Sequence, residues 1–177
     1  MLSSVRPGVG VTLVFTTTDS WVSAIIRWFT GGIASHVAIG TDLHGVPVLL
    51  HADVGGVQLS HRGRFFGDFG SNAVVAEYRF VGDVAEARLA RAVAHLGDRY
   101  DYAGLFGYAP VMVARWLGKK IRNPLASPRA MVCSEFVLLL DVGGDLVPAW
   151  QGLDPERTTP EDLLAICKES VAFCRVE

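Results

Sequence analysis

Along the chain the apolar positions change their period, and the change divides the sequence into a strand-rich first half and a helix-rich second half. Val9 to Thr17 is rich in β-branched residues and is entered through Pro7-Gly8, which predicts a strand. Between Trp21 and Phe29 the residues Trp21, Val22, Ile25, Ile26, Trp28 and Phe29 recur at helical spacing over one broad face. Asp19 or Ser20 is placed to cap that helix, and Gly31-Gly32 to stop it. Three strands are predicted next, at Ser35 to Thr41, Val46 to Ala52 and Gly56 to Ser60, with His44-Gly45 as the hairpin turn between the first two. After a Gly-, Arg- and Phe-containing loop from His61 to Asn72, alternation returns in Ala73 to Phe80, where Val75, Glu77 and Arg79 oppose Val74, Ala76 and Tyr78.

From Asp83 the period becomes helical. Asp83 is placed to cap a helix that runs to about Leu96, with Ala87, Leu89, Ala90, Val93, Ala94 and Leu96 inward and Gly97 at its end. Tyr102 to Leu117 is strongly apolar but contains Pro110 and Arg115, and it falls short of the roughly 20 residues a spanning helix needs. It predicts a buried core helix without stable membrane insertion, and a substrate-facing or lipid-facing element is the alternative. A Pro-containing loop from Asn123 to Arg129 precedes a helix from Val132 to Val142, closed by Gly143-Gly144. Thr159-Pro160-Glu161-Asp162 opens another, with proline in its first turn and acids where the helix dipole favours them. Ser170 to Val176 closes the chain as a strand. This order predicts an α+β fold, an antiparallel sheet or small barrel packed against helices, in a single domain over residues 1–177.

Composition narrows the function more than the fold. Half of the 177 residues are apolar and the formal net charge is −2, which excludes the disordered class and gives no electrostatic reason to expect nucleic acid as a partner. Lys119-Lys120-Ile121-Arg122 is the basic run, expected to be a solvated turn. Three cysteines make an odd number in a chain too large to need staples, so reduced thiols are expected. Met1 to Gly8 has no apolar core of a signal peptide, which fits a cytoplasmic or phage-associated setting better than export.

The candidate chemistry centres on Cys133. A free thiol has a pKa of about 8.5 and needs an imidazole or a helix N-terminus to become a nucleophile at neutral pH. Cys133 follows a loop and opens an apolar helix, where unsatisfied N–H groups favour a thiolate. The competing reading is a small buried hydrophobe, which is also expected for Cys167 and Cys174. His36 lies in the strand-like Ser35-His36-Val37-Ala38-Ile39-Gly40 and shares a face with the small residues Ala38 and Gly40. A hairpin turning at His44-Gly45 brings His51 near it, placed to orient the His36 ring. Each histidine alone would more often be structural. Glu135, about 200° around the helix from Cys133, reads as a first-turn acid or hydrogen-bond partner. Two histidines and a cysteine could ligate zinc, but without short CxxC or HxxxH spacing no metal or other cofactor is expected.

The segments Gly10-Val11-Thr12-Leu13-Val14-Phe15, Ser35 to Gly40, His51-Ala52 before Gly55-Gly56-Val57, Tyr100-Asp101-Tyr102, and Val132-Cys133-Ser134-Glu135-Phe136 together resemble the circularly permuted NlpC/P60 papain-like proteins. The order His before Cys marks the permuted group, which includes YiiX-like hydrolases and is related to lecithin:retinol acyltransferase-like enzymes. The resemblance implies Cys133 as nucleophile, His36 as general base and then acid, and His51 as the third, orienting residue, where many relatives carry an acid. It also implies Tyr100, Ser35 and Ser134 at the substrate. The implied activity is cysteine-dependent cleavage of an amide bond in a peptide or peptidoglycan fragment. Acyl transfer or hydrolysis on a lipid is the alternative, and a catalytically silent peptide-binding module another.

Overall fold

A computed structural model describes residues 10–53, 55–67, 73–119, 121–122, 124 and 130–177. The fold is α+β. Its sheet is built from β1 (Val11–Thr17), β2 (His36–Leu43), β3 (Val46–Asp53), β4 (Gly56–His61), β5 (Ala73–Phe80) and β8 (Phe173–Arg175). These run in the order β4-β3-β2-β1-β5-β8, every neighbouring pair antiparallel. A short parallel pair, β6 (Arg99–Tyr100) with β7 (Ala130–Met131), lies apart from it. The helices are α1 (Trp21–Thr30), α2 (Arg62–Gly67), α3 (Glu86–Ala94), α4 (Tyr102–Trp116), α5 (Cys133–Leu138) and α6 (Pro160–Glu169).

Local chemistry explains most boundaries. Ser20, not Asp19, caps α1, its hydroxyl accepting the Ser23 N–H at 3.1 Å. Gly31 ends that helix at φ 65°, a left-handed value that glycine reaches without strain. The β2–β3 hairpin turns through His44 and Gly45, both at positive φ, as a type I′ turn requires. Thr159 and Asp162 cap α6 reciprocally.

Several expectations change. The His61 to Asn72 loop contains the α2 turn, anchored by buried Phe65. Ala85 rather than Asp83 precedes α3, and the helix stops at Ala94. The helix at Val132 to Val142 is only six residues of α5, which tightens into a 3₁₀ turn at Leu139–Asp141. The helix at Tyr102 to Leu117 is not wholly core: Val111, Met112 and Ala114 are buried, but Val113, Trp116 and Leu117 are exposed. Cys167 is buried as expected, whereas Cys174 is exposed. The Pro7-Gly8 entry, Lys120 and most of the Asn123 to Arg129 loop lie outside the described residues.

The sheet is covered unequally. On one face Leu13, Phe15, Val37, Ile39, Leu50 and Ala52 pack with Cys133, Phe136 and Val137 of α5 and with Leu163 and Leu164 of α6. Fully burying each such side chain contributes about 1.5–3 kcal/mol. On the other, Val14, Ala38 and Leu49 pack against Phe65 and Phe66 of α2. The candidate site residues divide between these two faces.

Candidate active site

The β2–β3 ladder ends at Ile39 opposite Leu50, so His36 to Ala38 and His51 to Asp53 have no cross-strand partners in each other. The start of α5 packs against both strands. There Cys133 is buried, and the backbone N–H groups of Val37, Ser134 and Cys133 itself lie close enough to its sulfur to favour the thiolate. Burial nevertheless pushes the thiol up to about 11, the three N–H groups pull the other way, and Glu135 adds to the rise. At rest the sulfur keeps its proton.

Strand alternation sends His36 and His51 to the opposite face from Val37 and Ala52, and so from Cys133. Their rings meet edge to face with centroids 6.0 Å apart, and Phe65 stacks on His36 at 6.2 Å. His51 is fully buried; its Nε2 is 3.0 Å from Ser60 Oγ and its Nδ1 is 3.2 Å from Asp53 Oδ2. The second distance is that of an ion pair and lies outside hydrogen-bond geometry. His51 therefore touches His36 by its ring edge and directs its nitrogens elsewhere. Burial lowers His36 to about 4, His51 lowers it further, and Asp53 opposes both. Burial alone would raise Asp53, but His51, the Gly55 N–H and His36 outweigh it and hold the carboxyl below its usual value.

Asp53 is the residue that sequence reasoning missed. It lies two positions beyond His51 on the same strand face, so strand alternation was signal enough to find it. Gly55 N–H and Gln58 Nε2 fix its Oδ1 at 2.8 and 3.0 Å. A carboxylate therefore does stand behind the histidines, one pleat further on than the resemblance implies. Thr16 was missed as well: it pairs with His36 across the β1–β2 ladder, is fully buried, and its hydroxyl makes no hydrogen bond.

On the thiol side lies a cavity of about 210 Å³. Its walls are Trp21, Val22, Ile25, Ile26, Phe29 and Thr30 of α1, Met112 of α4, and Ser35, Tyr100, Val132, Cys133, Ser134, Thr159 and Pro160. The structure thus gathers Cys133, Ser35, Tyr100 and Ser134 around one space, which neither imidazole lines. The two serines point their hydroxyls away from a ligand role: Ser134 Oγ donates to the Thr158 carbonyl at 2.6 Å, and Ser35 Oγ pairs with Ser23 Oγ. Arg27 turns inward to the Thr18 carbonyl and Ser23, both at 2.9 Å, pinning α1 over the cavity. Glu135 Oε2 accepts the Val132 N–H at 3.1 Å, the structural role its helix position predicts. Burial raises it to about 7.

Fold and site together define an α+β protein with a buried thiol on one face of an open sheet end and a His-His-Asp chain on the other. No family model matches the chain, and no curated protein matches it. Among solved structures it is similar to the metalloprotein YiiX from Escherichia coli O157:H7, a DUF1105 protein, with 16% identity, 97% of both chains covered and a TM-score of 0.50. The likeness is one of fold. Among the described residues of this chain no group of three His, Cys, Asp or Glu side chains could hold a metal ion.

Proposed function

We propose that the protein is a cysteine-dependent acyl hydrolase of the permuted NlpC/P60, papain-like kind, acting on an amide or ester whose acyl part is apolar. The observation that carries this reading is that the buried thiol of Cys133, at the start of α5, lines an almost wholly apolar cavity. Substrate carbonyl carbon placed at that sulfur is attacked as the thiol proton passes to His36, whose ring must come round the open end of β2 and β3 to the thiol face when substrate binds. With the thiol held near 11 and the imidazole near 4 the pair rests neutral, so the proton moves together with attack on the carbonyl rather than ahead of it. The imidazolium then gives its proton to the leaving amine or alkoxide, and water releases the acid from the acyl-enzyme. Asp53, through the edge of His51, stabilises the imidazolium while it exists. The N–H groups beside the sulfur are the donors nearest a developing oxyanion.

A peptidoglycan fragment, polar and anionic, finds few partners in this lining, so the apolar acyl group is favoured over the peptide stem. Turnover of a medium-chain p-nitrophenyl ester and of the matching acyl amide tests the proposal. It requires that Cys133→Ala lose all turnover and that His36→Ala lose about 10²-fold or more in kcat, with circular dichroism unchanged, and near-native activity in either sinks it.

The second reading is a silent binding module, favoured by the resting protonation of both groups. It predicts uptake of an apolar ligand by the cavity with no acylation of Cys133.

A further inference from the structure

α1 and α4 meet through an aromatic cluster that faces solvent. The Trp28 ring lies 4.7 Å from Phe29 and 6.2 Å from Trp116, and Phe29 stacks on Trp116 at 6.4 Å. Trp21, Trp28 and Trp116 are 64%, 68% and 59% exposed, with Ile25, Val113 and Leu117 exposed beside them. Of the four tryptophans three lie in this region, while Trp150 is buried. Contiguous apolar surface of this kind marks an interaction site, because each Å² covered returns about 25 cal/mol.

Charge, side-chain type and continuity say what covers it. The sequence holds no acid from residue 21 to 30 or from 102 to 122, and Arg115, Lys119 and Arg122 close the second stretch. Arg115 pairs with Asp162 and Arg122 lies 3.7 Å from Glu156, while Lys119 is exposed. Tryptophan beside a basic group is the combination that settles at a membrane–water interface. Trp21, Ile25 and Phe29 also line the cavity, so one apolar surface runs from the exposed face inward to Cys133. A protein partner would need no such inward path. Among the described residues no helix is long and apolar enough to cross a membrane, so the contact is peripheral.

We infer that the α1–α4 face docks on an anionic membrane surface and that an acyl chain held there enters the cavity toward Cys133. Docking stands on the surface alone; the entry of the chain rests on the thiol reading proposed above. The test uses the full chain carrying Cys133→Ala, mixed with phosphatidylcholine vesicles with and without phosphatidylglycerol, and followed by co-sedimentation and tryptophan emission. Expected are binding and a blue shift with phosphatidylglycerol, weakened by salt, and a loss of about tenfold or more in affinity in Trp28→Ser/Trp116→Ser. Lys119→Glu should weaken binding to the anionic vesicles. Ile25→Glu, with a thermal melt for each variant, keeps the test decisive if the double variant fails to fold. No binding to either vesicle, or undiminished binding by folded variants, overturns the docking. So does a dimer in solution whose tryptophans are shielded from acrylamide, since a second copy then covers the face. Turnover plays no part in these readouts, so a docking failure leaves the catalytic proposal standing, and the reverse holds too.

Discussion

The two faces of the sheet at the open end of β2 and β3 solve opposite problems. On one face Cys133 is surrounded by hydrocarbon and backbone N–H groups, an environment that can hold an apolar acyl group and keeps the thiol protonated. On the other, His36 and His51 lie against Phe65 with Asp53 at the rim, an environment that keeps His36 neutral yet gives a transient imidazolium a carboxylate to face. The proposed nucleophile and base are each silent at rest, and neither makes a hydrogen bond to the other among the described residues. Chemistry on such a site begins with the substrate, since catalytic hydrogen bonds are often loose until one is bound.

Removing the proposed base breaks this comparison most severely. His36→Ala leaves Cys133 and its cavity untouched, yet should lower kcat by about 10² to 10⁴ with little change in KM, measured on the p-nitrophenyl ester. A raised KM with kcat unchanged would place His36 in substrate binding instead.

Next in size are two opposed effects of pH on stability, one from each face. The folded value of His36, about 4, lies below the unfolded 6.5, so acidification from 6.5 to 4 protonates the unfolded state first and costs about 3 kcal/mol. The folded value of Glu135, about 7, lies above the unfolded 4.5, so stability falls by about 3 kcal/mol as pH rises from 4.5 to 7. Between 4.5 and 6.5 the two slopes partly cancel. Urea titrations should show Glu135→Gln gaining stability at pH 8, with its amide oxygen still able to accept from Val132, while His36→Gln flattens the acid side. A pH profile unchanged in both variants contradicts these environments.

Asp53→Asn sharpens the imidazole side. It should reduce kcat less than His36→Ala, with the melt nearly unchanged because Gly55 and Gln58 still find an oxygen acceptor. Smallest is a change confined to the thiol side: Val22→Trp fills part of the cavity and should raise KM for long acyl esters while leaving acetyl esters alone.

Much of this arrangement was legible in the sequence, and what escaped did so for identifiable reasons. The β-branched run of β1 and the His44-Gly45 turn fixed the first strands closely, because alternation and positive φ are local signals. His51 was placed near His36 by counting back from that turn. Asp53 escaped because the family resemblance points to position 51 for an acid, although strand parity puts residue 53 on the same face. α2 was hidden by its loop-like composition, Arg-Gly-Arg-Phe-Phe-Gly, and forms where Phe65 finds the sheet. That Cys133 and His36 belong to opposite faces could not be read at all, since it depends on which side of β2 receives α5. The exposed side of α4 escaped likewise, because a uniformly apolar segment has no period to show its wet face.

The most direct test is intact-mass spectrometry after brief mixing with an octanoyl p-nitrophenyl ester at neutral pH. The account predicts one octanoyl adduct, mapped to Cys133, in the native chain and almost none in His36→Ala. No adduct in the native chain, or equal labelling in the two proteins, would contradict it.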